Sequence, residues 1–217
     1  MTAAAFQSVL ARLIVDPDFR RRVRREGAAA LRGRPLTDRE RDRLLAAAAD
    51  PGMEVTATLH RGFRLSKLLG RLPLTFTLLD PATSRRELDA FWAARPPAGF
   101  YYLDEAIAFC DHLIGRAEAL GVPYLGEIAA YERAGLELQR PRPAGEEAPL
   151  QWVEMAHDPL PLIAALADGR VPPAAPPRRC FLVGRRIGDD TEWRLAEPIC
   201  EDERPAALAA AAARAAV

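Results

Sequence analysis

The sequence predicts an α+β protein, with an all-helical domain over residues 1–143 followed by a small β-α-β-β domain over residues 149–200. Three observations support this prediction. Apolar residues recur every three or four positions through residues 1–140, the period of amphipathic helices. The segment 141–149 (PRPAGEEAP) has the composition of a linker. Short runs typical of strands follow it, and residues 201–217 form an alanine-rich tail.

The first helices are predicted from capping residues as well as from apolar spacing. Residues 3–15 are expected to form one helix, and Asp16 with Pro17 is expected to cap and begin the next. Thr37 and Glu40 stand three residues apart in the capping-box pattern, which predicts the start of a third helix. These signals are local, so they predict where helices begin without predicting how they pack.

Three further helices are predicted before residue 96. Residues 54–69 are expected to form a helix with one apolar face directed inward. That face consists of Val55, Leu59, Phe63 and Leu68. A short helix is expected to begin at Pro73, and Ser84 is expected to cap the helix that follows it.

Residues 91–138 are the most strongly patterned stretch, and they predict an αα-hairpin. Asp104 and Glu105 suit the positive end of a helix dipole, and Gly121 suits the end of that helix. Pro123 precedes a second helix, and the two helices should lie antiparallel because the link between them is short. One face of the second helix consists of Leu125, Ile128, Glu132 and Leu136.

The C-terminal residues predict a small sheet with one helix. Residues 150–156 have the composition of a strand, and Asp158 is expected to cap a helix. Residues 180–183 and 191–195 flank Gly188 in the pattern of a β-hairpin. A unit of about 50 residues buries little surface by itself, so we expect it to pack on the helical part.

Composition and charge exclude several classes of protein. Lysines and arginines number 30 and acids number 30, so the field of the whole chain gives no reason to expect a nucleic-acid partner. Three cysteines without zinc-type spacing indicate free thiols in a reducing compartment, and we expect a cytoplasmic location. No apolar run predicts a signal peptide or a membrane span. The basic run 19–25 (FRRRVRR) is either a nucleic-acid contact or a solvated face, and the neutral net charge favours the second.

The sequence carries no recognisable catalytic motif. No two histidines stand at metal-ligand spacing, and phosphate-binding glycine loops and the nucleophile elbow are absent. Asp104 and Glu105 point apart on a helix, as do Glu127 and Glu132, so neither pair is expected to converge on a substrate. We therefore expect no catalytic residue, metal or cofactor in this chain, and a binding role.

The predicted sheet offers a binding site of another kind. A three-stranded sheet has two edges with unpaired main-chain groups, to which an extended peptide can add as a strand. The side chains expected to line this site are Trp152, Phe181, Val183, Trp193 and Leu195. The alternative is that these residues form the hydrophobic core of the small domain. If an edge strand binds peptide, a proline within residues 181–183 is expected to abolish binding by removing a backbone donor.

The layout of the chain resembles a known family. In order, the segments FYYLDEAIAFCDHL, YLGEIAAYERAGLEL, HDPLPLIAALADG and CFLVGRRIGDDTEWRL are similar to the partner subunits of multinuclear non-haem iron oxidases. Those oxidases modify ribosomally made peptides, as in methanobactin biosynthesis. The resemblance implies a non-catalytic adaptor without metal, whose residues 150–195 bind the leader of a precursor peptide. It implies that iron sits in a separate oxidase subunit. The residues expected to contact that subunit are Arg61, Arg64, Lys67, Tyr101 and Tyr102.

Two other hypotheses remain open. The segment 16–48 resembles a small helical module found beside ring-cleavage dioxygenases, so the chain is alternatively a small helical subunit of such an enzyme. Tightly bound iron would indicate that role. The third hypothesis is a DNA-binding regulator that uses residues 20–25, and steeply salt-dependent DNA binding would indicate it.

Overall fold

The computed structural model describes residues 3–95, 102–143, 145–146, 148–188 and 190–196. Within these residues it contains ten α-helices and a three-stranded antiparallel sheet, which confirms the predicted α+β class. The helices are α1 (Ala3–Val15), α2 (Pro17–Glu26), α3 (Asp38–Ala49), α4 (Gly52–Arg71), α5 (Pro73–Leu78), α6 (Pro81–Ala94), α7 (Tyr102–Ile114), α8 (Ala117–Leu120), α9 (Leu125–Leu138) and α10 (Pro159–Ala167). The strands are β1 (Gln151–His157), β2 (Pro177–Ile187) and β3 (Asp190–Ala196).

The chain divides into two compact units, Met1–Lys67 with Asp89–Phe100 and Leu68–Leu88 with Tyr101–Val217. The sheet and α9 therefore belong to the same unit. The limits 1–143, 149–200 and 201–217 remain a prediction about domains, and residues 197–217 lie outside the described residues. No helix in the described ranges combines the length and the apolar character needed to cross a membrane.

The first unit is built on an apolar core shared by α1, α2, α3 and the 3-10 turn Gly27–Leu31. Its buried members are Val9, Leu13, Phe19, Val23, Leu31, Leu36, Leu44 and Ala48. Both predicted caps are confirmed. The Asp16 carboxylate accepts a hydrogen bond from the Phe19 N–H at 2.8 Å, and Thr37 with Glu40 forms a complete capping box.

The predicted orientation of α4 is wrong for three of its four apolar residues. Val55, Leu59 and Phe63 are 60%, 69% and 48% exposed, whereas Leu68 is buried as expected. Arg64, which is only 4% exposed, lies on the covered side of this helix. Apolar spacing identifies residues that share a helix face, but it does not identify which face the fold covers.

Of the two helix starts predicted at Pro73 and Ser84, one is confirmed and the other is wrong. The short helix α5 begins at Pro73 as predicted. The cap of α6 is Asp80 and not Ser84, because the Asp80 carboxylate accepts hydrogen bonds from the N–H groups of Ala82 and Thr83 at 2.8 and 3.0 Å. Hydrogen bonds from the side chain and the N–H of Thr83, more than the one from Ala82, lower the pKa of Asp80.

The predicted αα-hairpin in the second unit is confirmed as the pair α7 and α9. Arg140 bonds Asp104 at 2.5 Å and Arg133 bonds Asp111 at 2.6 Å, so the start of α7 lies beside the end of α9. The helices are therefore antiparallel. The predicted first helix is interrupted after Ile114, and Gly121, at a φ of 62°, ends the short helix α8.

The three strands are ordered β1-β2-β3, and both neighbouring pairs are antiparallel. The central strand is therefore β2, and the two edges are β1 and β3. Helix α9 packs on β1 and β2. The apolar residues Val153, Met155, Cys180 and Leu182 are buried beneath it.

Candidate functional site

The sheet and α9 hold the side chain of Trp193 between them. The Trp193 ring lies 4.7 Å from the ring of Tyr131 on α9, centroid to centroid. On the sheet side the ring lies over Gly184, where a Cβ atom would stand 2.7 Å from Trp193 and 2.9 Å from Leu138. Real Cβ contacts are not that short, so only glycine at position 184 lets Trp193 take this place.

Among the described residues, nothing covers the edge formed by β3, and we call this edge open. Ile187 and Asp190 pair with each other at the end of the hairpin, with only two residues between them in sequence, so their main-chain groups bond across the hairpin. In an antiparallel ladder the alternate residues of β3, Thr191, Trp193 and Leu195, then turn their N–H and C=O groups away from β2. Within the described residues no hydrogen bond is made to these outward groups. This edge can accept another strand.

The edge formed by β1 is closed at its C-terminal end. The register with β2 shifts between Met155 and His157, which leaves Ala156 in a bulge. One oxygen of the Glu127 carboxylate accepts hydrogen bonds from the N–H groups of Ala156 and His157 at 2.9 and 3.3 Å. Its other oxygen lies 2.6 Å from Nδ1 of His157. A side chain of α9 thus covers the groups that a new strand would use there.

Tyr124 strengthens the closed end of β1. It precedes α9 with a φ of 63°, a left-handed conformation that costs a residue with a side chain about 1 kcal/mol or more. Its ring meets His157 edge-on at 4.8 Å, and its hydroxyl accepts a hydrogen bond from the Ala175 N–H at 2.8 Å. The conformation therefore places one side chain against both β1 and the proline-rich loop 171–176.

The face of the sheet opposite α9 carries a half-buried apolar strip. Trp152, Phe181 and Val183 lie on this face, because side chains alternate along strands and their neighbours in sequence face α9. The rings of Trp152 and Phe181 meet at 6.3 Å in an edge-on arrangement. Charged pairs flank the strip, among them Arg179 with Glu154 and Arg185 with Glu192.

The five residues predicted to bind peptide are thus divided between the two faces of the sheet. Trp193 and Leu195 belong to the open β3 edge on the α9 side, whereas Trp152, Phe181 and Val183 lie on the opposite face. The expectation that a proline within residues 181–183 would remove an edge donor is wrong. Those residues belong to β2, whose main-chain groups already pair with strands on both sides.

Two of the arginines predicted to contact an oxidase are engaged within the first unit. The guanidinium of Arg61 pairs with Asp89, and the Cζ atoms of Arg61 and Arg64 both lie 4.7 Å from the ring centroid of Trp92. Burial of Arg64 leaves its side chain no surface for another protein, whereas Arg61 remains exposed. Any contact with a partner here falls to Arg61 and its exposed neighbours.

The remaining residues of the predicted oxidase surface differ in exposure. Lys67 is exposed, and its Nζ atom lies 4.9 Å from the ring centroid of Phe63. Tyr102 is half-buried in the first turn of α7. Tyr101 lies outside the described residues.

Glu132 has a structural role that sequence reasoning missed. Its buried carboxylate accepts hydrogen bonds from the N–H groups of Leu74 and Thr75 at 2.8 and 2.9 Å, at the start of α5. Burial raises the pKa of Glu132, and these hydrogen bonds only partly oppose that effect. The sequence signal that could have indicated this role was the position of Glu132 among the apolar residues on one face of α9. Glu127 and Glu132 diverge as expected, since each serves a different element.

Glu87 is a second buried carboxylate, and its environment shifts its pKa in the other direction. Burial alone would raise the pKa of Glu87, but hydrogen bonds from Arg116, Arg86 and His112 outweigh burial and lower it. Nε of Arg116 lies 2.6 Å from the carboxylate and Nε2 of His112 lies 3.2 Å from it. This cluster holds α6 against α7 and the turn after it.

The basic run of α2 is largely engaged within the first unit. Arg20 is buried and donates to the Glu54 carboxylate at 2.9 Å, and Arg24 donates to the same carboxylate at 2.9 Å. Arg21 and Arg25 pair with acidic neighbours on α2 itself. A row of free cations, which an extended nucleic-acid contact would need, is therefore absent from this part of the helix.

The described residues contain no cluster of three or more histidine, cysteine or acidic side chains placed to hold a metal ion. Comparison with protein-family models finds no family that matches this chain. Comparison with characterised proteins finds no match either.

On the geometry described above, the open β3 edge, with Trp193 beside α9, is the candidate site that is supported best.

Proposed function

We propose that this chain is a non-catalytic adaptor that binds an extended precursor peptide along β3 and presents it to a multinuclear iron oxidase. The observation that supports this function is the open edge of β3 beside α9. An added strand would bond to the outward main-chain groups of Thr191, Trp193 and Leu195. Iron belongs to the partner enzyme in this proposal, and the chain supplies binding and placement.

The surroundings of β3 indicate what such a peptide would carry. Side chains of an added strand alternate between the two faces of the sheet. On the α9 side they would meet Trp193, Tyr131 and the exposed part of Leu195, which are apolar or aromatic. On the other side they would meet Arg194 and Glu192, which are bonded to each other. We infer a peptide with apolar side chains at alternate positions and polar side chains between them.

The exposed face of α4 supports the second part of the proposal, the contact with an oxidase. Val55, Leu59 and Phe63 place large apolar side chains in solvent on one helix face. Exposed apolar patches of this kind mark protein–protein sites. Arg61 and Lys67 are exposed on the same helix and would supply charge at the rim of the contact.

The first test is purification of the full chain from its native host, followed by mass spectrometry and iron analysis. We expect a separate iron-containing oxidase and a short peptide to accompany the chain. The chain alone with tightly bound iron would contradict the adaptor and favour a dioxygenase-type subunit. Recovery with neither iron, peptide nor oxidase would also contradict it.

Proline substitution then tests the β3 edge with a synthetic copy of the recovered peptide. Leu195→Pro removes an outward N–H of β3, whereas Glu154→Pro removes an outward N–H at the corresponding position of the β1 edge. We expect the first to weaken peptide binding by about 100-fold, since it removes a main-chain bond and distorts the edge, and the second to leave binding near wild type. The reverse result would assign the peptide to β1, and two unaffected variants would exclude strand addition. Far-UV circular dichroism checks that both variants are folded.

A further inference from the structure

Three arginine side chains from separate parts of the first unit converge on the ring of Phe19. The Cζ atoms of Arg12 on α1, Arg22 on α2 and Arg34 after the 3-10 turn lie 4.4, 5.3 and 5.5 Å from the ring centroid. Each distance is within the range in which an aromatic face attracts a cation, about 6 Å. Phe19 is only 2% exposed, so the guanidiniums and the core enclose its ring.

Two of these three arginines have no acidic partner within the described part of the chain. Arg12 donates to the Asp16 carboxylate at 3.0 Å. Within the described part of the chain, neither Arg22 nor Arg34 forms an ion pair with a carboxylate. Acids and basic residues are equal in number over the whole chain, at 30 each, so this local excess is a feature of the fold. Like charges gathered around one ring repel each other, and a bound anion would relieve the repulsion.

A concave space lies beside the ring. It is a cavity of about 380 Å³ whose lining includes four arginines and two aspartates. Both aspartates are already engaged, Asp16 by Arg12 and by the Phe19 N–H and Asp18 by Arg21. The cavity therefore presents positive charge to solvent. We call this cavity, together with Arg34, the arginine pocket.

We propose that the arginine pocket binds a phosphate-type oxyanion, held by Arg12, Arg22 and Arg34. Guanidinium groups offer paired N–H donors whose geometry matches phosphate oxygens. The one aromatic ring is covered by guanidiniums, so the pocket recognises charge and offers no face for a nucleobase. A nucleic-acid backbone would need a row of cations, and most of the α2 run is paired elsewhere. This site lies apart from β3 in sequence and does not depend on the adaptor role.

Isothermal titration calorimetry of the full chain with pyrophosphate, inorganic phosphate and AMP tests the proposal. We expect pyrophosphate to bind, and Arg22→Gln and Arg34→Gln each to weaken binding about tenfold by removing charge-assisted hydrogen bonds. The matched control is Arg85→Gln, which removes an exposed arginine from the second unit and should leave binding unchanged. Tighter binding of AMP than of inorganic phosphate would identify a phosphorylated small molecule as the natural source. Equal binding would identify the free anion.

Three results would overturn the proposal. The first is no heat of binding with pyrophosphate or inorganic phosphate up to about 10 mM. The second is equal weakening in all three variants, which would indicate diffuse attraction to the whole chain. The third is duplex DNA that binds more tightly than pyrophosphate with a steep salt dependence, which would indicate a nucleic-acid contact. Circular dichroism and urea denaturation verify that each variant retains the fold.

Discussion

The two edges of the small sheet are strands of equal length, and they differ in what meets their main-chain groups. Both β1 and β3 have seven residues. At the end of β1 the Glu127 carboxylate accepts the N–H groups of the bulge. Along β3 the outward groups of Thr191 and Leu195 have no hydrogen-bond partner among the described residues. Unpaired edges invite other strands, so covering the C-terminal end of β1 favours β3 as the edge that receives an added strand.

One helix produces this difference. α9 carries Glu127 in its first turn, where the carboxylate reaches the bulge of β1. One turn later it carries Tyr131, which contacts the ring of Trp193 of β3, and two turns later it carries Gly135, which makes room for that ring. The same helix thus closes the C-terminal end of one edge with a carboxylate and supports the other edge with an aromatic contact. Substitutions along α9 and beneath Trp193 should separate these two effects.

The largest effect is expected from Gly184→Ala, which disturbs the β3 side. The added Cβ on the central strand would stand 2.7 Å from the Trp193 ring and 2.9 Å from Leu138, so both neighbours would have to shift. We expect the free energy of unfolding to fall by about 2–3 kcal/mol, measured by urea denaturation. Peptide binding at β3 should weaken as well, because Trp193 would be displaced.

Gly135→Ala is the matched control for that prediction. Its Cβ would lie 3.8 Å from Trp193, an ordinary contact, and alanine is favoured over glycine inside a helix by about 1 kcal/mol. We expect unchanged or slightly increased stability. Equal destabilisation by the two substitutions would show that Trp193 is not closely packed against Gly184.

The next effect is expected from Glu127→Ala, which opens the β1 edge. The substitution removes the acceptor of two main-chain N–H groups and the contact with His157. Since Ala156 is exposed, water can partly replace the carboxylate, and we expect a loss of about 1–2 kcal/mol. Amide hydrogen exchange at Ala156 and His157 should accelerate. Glu127→Gln keeps an acceptor oxygen and should show a smaller change. Unaltered exchange in the alanine variant would mean that Glu127 does not close this edge.

Glu132→Gln tests a third contact of α9, the one between the Glu132 carboxylate and the start of α5. This contact involves neither edge of the sheet. Burial raises the pKa of Glu132 above its ordinary value of about 4.5, so the folded state binds a proton more tightly than the unfolded state. The resulting stabilisation is complete below the unfolded pKa and is lost as pH rises through the raised folded pKa. Glutamine cannot titrate, and the variant should lack this decline.

The measurement for Glu132 is urea denaturation of both proteins at several pH values between about 4 and 8. Near pH 4, where Glu132 is protonated, the variant should be less stable by about 1 kcal/mol, because the amide NH2 cannot accept the second hydrogen bond, whereas the hydroxyl oxygen of the carboxyl group can. The difference in the free energy of unfolding between the wild type and the variant should narrow as pH rises. Parallel pH profiles for the two proteins would show that the carboxyl group titrates normally in the folded state.

Much of the helical framework follows from local signals in the sequence. Asp16, Thr37 with Glu40, and Asp158 each cap the helix that was predicted to start there, since a cap depends only on its near neighbours. The αα-hairpin and the β-α-β-β order were likewise predictable from apolar spacing and turn residues. At Asp80 and Ser84 two suitable caps compete within one turn, and the sequence does not rank them.

The site was less predictable because it depends on tertiary packing. Five apolar residues were assigned to one surface, but strand order places Phe181 and Val183 in the middle of the sheet, opposite α9. The sequence alone does not determine which of the three strands is central in the sheet. The exposed Leu59 on α4 and the buried Arg64 show the same limit, since apolar spacing cannot reveal what covers a helix face.

The smallest effect on stability and a large effect on binding are expected together from Leu195→Lys. Leu195 is 36% exposed on the open edge, and the aliphatic stem of lysine can cover much of the same surface while its charge reaches solvent. We expect the free energy of unfolding to change by about 0.5 kcal/mol or less. A lysine on an edge strand opposes addition of another strand, so peptide binding should fall by about tenfold or more. Loss of binding without loss of stability would assign the difference between the two edges to recognition. Unchanged binding would show that β3, although open, is not the edge that receives the peptide.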